Sequence, residues 1–135
     1  MPTATLSRRE TFSASHRLHC NGMSDEDNRK LFGKCNHANG HGHNYVLEVL
    51  VRGEIDQTTG LVMNLSDLKA LIHEHVLDKI DHKHMNLDVA EFSILNPTTE
   101  NVAKVIWDWL HPHLGGLLHE VRLHETENNI AIYRG

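Results

Sequence analysis

Apolar and polar residues alternate along two long stretches in the first part of the chain. In residues 5–18, one parity carries Leu6, Phe12, Ala14 and His16. In residues 43–55, one parity carries Tyr45, Leu47, Val49 and Val51, and it runs back to His41 and His43. A period of two is typical of a strand with one buried face, so both stretches predict long strands. The intervening residues 19–40 are polar and rich in Gly and Asn, which predicts a loop or a strand excursion.

A period of three to four predicts two helices further along the chain. Residues 67–80 follow Ser66, a candidate N-cap, and their apolar stripe comprises Leu68, Leu71, Ile72, Val76 and Ile80. Residues 100–110 follow a capping segment at 96–99, and their predicted buried face comprises Val102, Val105, Ile106 and Trp109. Glu100 would stand in the first turn of this second helix, where a negative charge favours the helix dipole.

The last part of the chain predicts a hairpin. Residues 119–125 and 130–135 are strand-like and flank a turn region at Asn128 and Asn129. The predicted order is therefore ββααββ, with two antiparallel strand pairs and two helices on one face of the sheet. This pattern indicates an α+β fold. The chain has 135 residues, so we expect one domain over residues 1–135.

Composition argues against several classes of protein. The net charge of −5 provides no basic surface for nucleic acid. No apolar run is long enough to span a bilayer, and no charged-then-apolar leader begins the chain, so we expect a cytoplasmic protein without a membrane partner. In that compartment the two cysteines, Cys20 and Cys35, are expected to be thiols rather than a disulfide.

Histidine is the residue type that stands out. The chain has 13 histidines, as many as Lys and Arg combined. His41 and His43 stand at i and i+2, so in a strand both project to one side, as two ligands of one metal ion must. Gly42 between them would allow a backbone or a substrate to come close. If the first two strands pair, His16 supplies a third nitrogen, and three imidazoles suit a catalytic zinc with one open position.

Cys35 has two possible roles that spacing does not separate. As a fourth ligand it would close the coordination sphere and make the zinc structural. Standing off the metal, it would act as a base or nucleophile, its thiolate favoured by the nearby cation. Cys20 has no companion residue and is expected to be a bystander.

The dipeptide Asp81–His82 follows the first predicted helix. A carboxylate beside an imidazole orients the ring and stabilises its charged form, which suits a general acid or base. A polar helix C-terminus, where His and Lys complement the dipole, is the simpler alternative.

Glu125 shares the parity of Val121 and Leu123, so it points toward a face that should be apolar. A carboxylate there is costly unless it is paired or meets a ligand. It would suit the ring edge of a pterin, because it could accept hydrogen bonds from the N–H groups there. Alternatively, the strand ends at residue 124 and Glu125 lies in the turn. Thr99 and Glu100 could likewise bind a polar ring, although capping alone explains them.

Six motifs, in order along nearly the whole chain, resemble the 6-pyruvoyltetrahydropterin synthase family. They are FSASHRL at 12–18, FGKCN followed by NGHGHNY between 32 and 45, GEIDQTTGLVMNLSDLK at 53–69, IDHKHMNLD at 80–88, TTENVA at 98–103 and HETENNIAIY at 124–133.

The resemblance implies a fold and a reaction. The fold is the tunnelling fold (T-fold), in which ββααββ subunits form a trimeric antiparallel barrel and two trimers stack as a homohexamer. The reaction is carbon–oxygen lyase chemistry in tetrahydrobiopterin biosynthesis. It converts 7,8-dihydroneopterin triphosphate to 6-pyruvoyltetrahydropterin with loss of triphosphate. Zinc is the catalytic metal, and magnesium supports the elimination.

The resemblance also implies roles for individual residues. The zinc ligands would be His16, His41 and His43. Cys35 would be the proton acceptor, and Asp81 and His82 of the partner subunit would complete its proton relay. The remaining residues would hold the pterin: Glu125, which is sometimes counted in the relay, with Thr99 and Glu100 at the ring edge.

One departure and two alternatives remain open. His37 replaces an Asn that is common in the family, and no role is evident for it. In 6-carboxytetrahydropterin synthase, a relative of the queuosine pathway acting on the same substrate, the thiol typically stands nearer the H-G-H motif than Cys35 does, which favours the pyruvoyl type. A cupin-like metal module fits H-x-H-x4-E, but Glu48 has the opposite parity to His41 and His43.

Overall fold

The computed structural model describes every residue from Met1 to Gly135. Five strands form one sheet: β1 (Thr3–His16), β2 (His41–Glu54), β3 (Lys83–His84), β4 (Leu118–His124) and β5 (Ile130–Tyr133). Their order across the sheet is β3-β1-β2-β4-β5. All neighbours are antiparallel except the two-residue β3, which runs parallel to β1. The predicted α+β class is confirmed, and the sheet of a single chain is open rather than closed into a barrel.

The pairing of β1 with β2 is the longest in the sheet. It runs without a register break from Thr3 opposite Glu54 to His16 opposite His41. Both predicted strands are confirmed, but each begins two residues earlier in the chain than predicted. The pairing reaches the two histidines because β1 ends at His16 and β2 begins at His41.

A helix that the sequence analysis did not predict lies between these strands. Helix α1 (Asp25–Phe32) replaces part of the predicted loop, and the Ser24 side chain caps it by accepting the N–H of Asp27. Asn28 is fully buried, and its side chain bonds both the N–H and the C=O of Cys20. The helix therefore depends on a cap, an acidic first turn and a buried amide rather than on an apolar stripe.

The two predicted helices are present with different limits. Helix α2 (Leu65–Ile72) continues through a π-helical turn (His73–Leu77) into α3 (Asp78–Ile80). Its N-cap is Asn64, whose side chain accepts the N–H of Ser66, so the prediction of Ser66 as the cap was wrong. Asn and Ser are both good caps, which is why sequence alone misplaced the start by two residues.

The second predicted helix is longer than expected. After the short helix α4 (Met85–Asp88) comes helix α5 (Thr99–Leu114). Its N-cap is Thr98, whose hydroxyl accepts the N–H of Asn101. None of the helices is both long and apolar enough to cross a membrane.

The hydrophobic core lies between one face of the sheet and these helices. The sheet contributes Phe12, Ala14, Tyr45, Leu47, Val49, Val51, Val121 and Leu123, and the helices contribute Leu68, Ile72, Val76, Ile80, Val102, Val105, Ile106 and Leu110. Two residues of the predicted stripes, Leu71 and Trp109, are only partly buried. Trp109 instead donates its indole N–H to Glu91 and lies under the Lys79 ammonium. Each fully buried aliphatic side chain contributes about 1.5–3 kcal/mol.

One carboxylate is buried in the sheet away from the histidines. Glu120 of β4 is 1% exposed and accepts hydrogen bonds from Arg122 and, at 2.8 Å, from Arg134. Burial raises the pKa of Glu120, but the two guanidinium groups outweigh it and leave the pKa below its ordinary value. The charged form of Glu120 therefore stabilises the folded chain.

We expect Glu120→Gln to lower the free energy of unfolding at neutral pH by about 1–2 kcal/mol, because both arginines are partly exposed. The stabilisation by the carboxylate is present above the unfolded-state pKa, near 4.5, and is lost as the pH falls through the lower folded-state pKa. Urea unfolding at a series of pH values should show that the variant and wild type differ less in free energy of unfolding as the pH falls. Glu127→Gln, an exposed control, should unfold with the same free energy as wild type. A stability loss in Glu120→Gln that does not depend on pH would contradict stabilisation by the charged carboxylate.

Candidate metal centre and its surroundings

Three histidine side chains converge where β1 ends and β2 begins. One ring nitrogen from each of His16, His41 and His43 lies within 4.8 Å of the others, and the Nε2 atoms of His16 and His41 are 3.2 Å apart. The β1–β2 register explains this, because His16 pairs with His41 and its neighbour Ala14 pairs with His43. All three side chains continue the inward-facing stripe of the two strands, so the cluster lies at the end of the core.

His16 is held in one ring orientation. It is fully buried, and its Nδ1 donates to the backbone oxygen of Pro97 at 2.8 Å. Because a carbonyl only accepts, Nδ1 carries the proton and the lone pair is on Nε2, which faces His41. The hydroxyl oxygen of Tyr45 lies 3.4 Å from the same Nδ1. Burial lowers the pKa of His16 to about 4, so the ring is neutral, as a metal ligand must be.

The other two rings leave nitrogen atoms without partners. Nδ1 of His41 and Nε2 of His43 are buried and make no hydrogen bond. Burial, with a further contribution from the adjacent His43, lowers the pKa of His41. A buried polar atom without a partner is costly, and a metal ion would satisfy the nitrogen of His43. The Pro97 carbonyl fixes the His16 ring, and three imidazoles converge on one point. These features fit a metal site, so the three residues could hold a metal ion.

Glu125 lies beside the histidines although it is outside the regular strand. Strand β4 ends at His124, and the Glu125 N–H bonds the C=O of Asn129 in the turn. Its carboxylate oxygens nevertheless lie 3.9 Å from Nε2 of His16 and from Nε2 of His43. Both alternatives raised by the sequence were therefore partly right, since the backbone is in the turn and the side chain faces the site.

Thr99 links this carboxylate to helix α5. Its hydroxyl donates to Oε2 of Glu125 at 2.8 Å. Thr99, Glu100 and Glu125 line one hollow of about 540 Å³ together with Leu18 and residues of the β4–β5 turn. The structure thus places the three residues predicted to hold a pterin around the same space.

Cys35 lies outside the cluster of three histidines. It belongs to a 3-10 turn (Gly33–Asn36) that follows α1, and its backbone oxygen accepts the N–H of Leu18. Burial, with the negative charge of Glu125 as a second cause, raises the pKa of the Cys35 thiol. Without a nearby cation the thiol is therefore the favoured form, and a metal charge would oppose this effect.

Asp81 and His82 are not brought together with Cys35 in this chain. Oδ1 of Asp81 accepts the N–H of Ser13 and lies 3.0 Å from Nδ1 of His82. They lie at the β3 edge of β1, and His82 borders a hollow shared with Ser13 and Ser15. Serines at these positions alternate with Ala14 and His16, so this is the face opposite the histidine cluster.

The electrostatics and backbone of this pair are distinctive. Burial raises the pKa of Asp81, but hydrogen bonds from Ser13 and His82 outweigh it and lower the pKa overall. His82 has a φ of 60°, the only positive φ among residues other than glycine. The left-handed backbone directs the His82 side chain outward, where it is 84% exposed.

Beside the histidine cluster, Gly40 is sterically constrained, although the sequence did not single it out. Its φ is 75°, and a Cβ there would lie 2.9 Å from the backbone oxygen of His16 and 3.0 Å from Nε2 of His84. The expected close approach at Gly42 is not present within this chain, because the nearest atom to a Cβ there would be at an ordinary 3.6 Å. Gly40 therefore lets the chain reach His41 against the end of β1. The signal in the sequence was an Asn-Gly pair, which is typical of a turn with positive φ.

Comparison with known proteins agrees with this geometry. The family model described as 6-pyruvoyl tetrahydropterin synthase matches residues 5–135. The chain is 54% identical over 133 residues to the human protein named 6-pyruvoyl tetrahydrobiopterin synthase, covering 98% of this chain and 92% of the human one. It is 50% identical to the Drosophila melanogaster protein of the same name, covering 99% and 81%.

Solved structures give the same result. The structure of Caenorhabditis elegans 6-pyruvoyl tetrahydropterin synthase matches with a TM-score of 0.96 at 44% identity, covering 100% of this chain and 97% of the other. A Plasmodium vivax structure of the same description, at 20% identity, matches with a TM-score of 0.72 over 100% and 99% of the two chains, which shows the shared fold. With the T-fold, the converging histidines and these relatives together, the chain belongs to the 6-pyruvoyl tetrahydropterin synthase family.

Proposed function

We propose that this protein is a zinc-dependent 6-pyruvoyltetrahydropterin synthase. It converts 7,8-dihydroneopterin triphosphate to 6-pyruvoyltetrahydropterin and triphosphate, a carbon–oxygen lyase reaction of tetrahydrobiopterin biosynthesis in the cytoplasm. The observation that carries the proposal is the convergence of His16, His41 and His43 beside the Glu125 carboxylate. The names of the similar animal proteins support the biopterin pathway over the queuosine pathway.

Zinc is the metal that we propose for the histidine cluster. Three imidazole ligands match a catalytic zinc, which keeps its fourth position open for substrate. When bound, zinc supplies a Lewis acid to the side-chain oxygens of the substrate, which makes the adjacent C–H bonds more acidic. Magnesium would accompany the triphosphate, since it is bound largely through phosphate oxygens.

Glu125 would orient the pterin ring. The Thr99 hydroxyl already occupies one lone pair of Oε2 and fixes the carboxylate, which leaves the other lone pairs free to accept N–H bonds from the ring edge. The hollow lined by Thr99, Glu100 and Glu125 supports this placement of the ring edge. A carboxylate anchor of this kind selects a ring with adjacent N–H donors.

Cys35 would remove protons from the substrate side chain. Its position outside the histidine cluster suits a base rather than a ligand, and the positive charge of bound zinc would favour the thiolate over the thiol. Transfer of a proton from a side-chain carbon to Cys35 and its return to the ring produces an internal rearrangement. Removal of a second proton, from the carbon next to the one that carries the triphosphate, forms a C=C bond while the C–O bond breaks and triphosphate leaves with its electron pair. The ring is reduced as the side chain is oxidised, so no nicotinamide is needed.

The proton relay would be completed across a subunit boundary. In one chain, Asp81 and His82 face away from the histidine cluster, and the His82 ring projects outward. We propose that Asp81 and His82 of the partner subunit meet Cys35 when subunits close into the trimeric barrel, and that two trimers form a homohexamer. The Asp81 carboxylate would hold the His82 imidazole for proton exchange.

The first test is incubation of the purified protein with 7,8-dihydroneopterin triphosphate, zinc and magnesium. We expect 6-pyruvoyltetrahydropterin and triphosphate, identified by mass spectrometry and phosphate analysis. Removing zinc with a chelator should abolish turnover, and zinc should restore it. Release of acetaldehyde with a carboxylated pterin would contradict the pyruvoyl assignment.

The second test separates ligand from base. Cys35→Ala should keep zinc bound at the wild-type ratio while turnover falls at least about 100-fold, the usual cost of losing a general base. His43→Ala should instead lose zinc. Cys20→Ala, which removes the other thiol, is the control and should retain both zinc and turnover. Loss of zinc from Cys35→Ala would make Cys35 a ligand.

The third test concerns the shared site. Cys35→Ala and His82→Ala should each be inactive as pure oligomers. After the two variants are unfolded together and refolded at equal amounts, about a quarter of the sites would carry both wild-type residues if those residues come from different subunits. We therefore expect activity to return to about a quarter of wild type. No recovery, with mixed oligomers verified by mass spectrometry, would place both residues in the same chain.

A further inference from the structure

An open cavity of about 870 Å³ has His41 in its wall and shares no lining residue with the Glu125 hollow. It is bordered by α1, by the 3-10 turn that carries Cys35 and by the end of β1. Its basic lining residues are Arg17, Arg29, Lys34 and His37, with His41 as the wall shared with the histidine cluster. A concentration of cations is unusual in a chain with a net charge of −5.

The cations of this cavity are not paired with carboxylates. Arg17, Arg29 and Lys34 have no Asp or Glu oxygen within 4.0 Å, whereas Lys30 on the same helix pairs with Glu26 at 3.3 Å. Asp25 also borders the cavity but forms no ion pair with any of them. Unpaired cations that line one cavity together attract an anion.

Arg17 is held ready by its neighbours. Its Nε donates to the backbone oxygen of Asn36 at 3.1 Å, and the side chain of Asn86 bonds both its N–H and its C=O. Asn36 is buried and is tied in turn to the backbone of Leu18. The two terminal nitrogens of the Arg17 guanidinium make no hydrogen bond within the chain, so they can donate to a ligand. A preordered donor loses little entropy on binding.

A hydrogen bond determines which ring nitrogen of His37 carries the proton. The Asn39 N–H donates to Nδ1 of His37 at 3.2 Å. That nitrogen therefore holds the lone pair, and Nε2 carries the proton and can donate toward an acceptor in the cavity. Arg29 on α1 and Lys34 in the following turn supply the remaining donors, and the Ser24 cap and the buried Asn28 fix the helix that positions them.

We propose that this cavity binds an oligophosphate, namely the triphosphate arm of the substrate, through Arg17, Arg29, Lys34 and His37. The identification of the phosphate carrier rests on the proposed function. The pterin ring would lie at Glu125, the reacting side chain at the histidines, and the phosphates beyond His41. Guanidinium and ammonium donors suit phosphate oxygens of high charge density.

The experiment uses Arg29→Ala combined with Lys34→Ala, because both side chains are exposed and outside the histidine cluster. Inorganic tripolyphosphate is titrated into the zinc-loaded protein by calorimetry at fixed magnesium concentration. We expect the double variant to raise the Kd for tripolyphosphate about 10- to 100-fold. Single His37→Asn should give a smaller rise. Lys30→Ala removes a cation from the neighbouring position of α1 and should leave the Kd unchanged.

Kinetics with the complete substrate separate this inference from the proposed function. The double variant should raise KM by a factor similar to that for tripolyphosphate, with zinc content and the Ki of unphosphorylated dihydroneopterin unchanged. An unchanged Kd and KM in an active double variant would overturn the subsite while the proposed function stands. Tripolyphosphate binding that depends on Arg29 and Lys34, in a protein that does not form the pyruvoyl product, would support the subsite while the proposed function fails. If Lys30→Ala lost as much affinity for tripolyphosphate as the double variant, the effect would come from the overall charge of the protein. That result would also overturn the subsite.

Discussion

The register between β1 and β2 is the constraint on which the rest of the site depends. It places His16 opposite His41, with His43 two residues further along, so three rings from residues distant in sequence meet on one face. Because the side-chain period of a strand is two, a shift of one residue would turn His41 and His43 to the opposite face. Fourteen consecutive pairs hold this register, and the buried stripe of both strands would also be displaced by a slip. The packing of the core and the geometry of the site are thus fixed together.

The contact between His16 and Pro97 connects this strand pair to the helical layer. Pro97 precedes Thr98, the N-cap of helix α5, and its oxygen fixes the protonated nitrogen of the fully buried His16 ring. The same helix start supplies Thr99, which fixes Glu125. One helix terminus therefore orients both the His16 ring and the Glu125 carboxylate. In the cavity that His41 borders, α1 and its following turn present cations, so the histidines have both negative and positive groups around them.

The sequence predicted the parts of the fold that follow simple periodicity. Alternation identified β1, β2 and the final hairpin, and the three-to-four repeat identified α2 and α5. Helix α1 was not predicted because it is stabilised by a serine cap and by the buried Asn28. Polar residues of this kind are also typical of loops. The start of α2 was misplaced because Asn64 and Ser66 are equally good caps, and only the surrounding packing selects one. Glu125 was ambiguous because parity describes a strand but not the turn into which this residue passes.

By itself the sequence determined which chemistry was available: imidazoles at i and i+2, thiols, a carboxylate on an apolar parity and an Asp-His pair. These groups can be recognised from residue type and local spacing without knowledge of the fold. The tertiary structure decided which of these groups meet. It joined His16 to His41 and His43, left Cys35 outside that cluster, and directed Asp81 and His82 to the opposite face. It also gathered Arg17, Arg29, Lys34 and His37 around one cavity, because contacts between residues distant in the chain depend on strand pairing and packing, which local pattern does not specify.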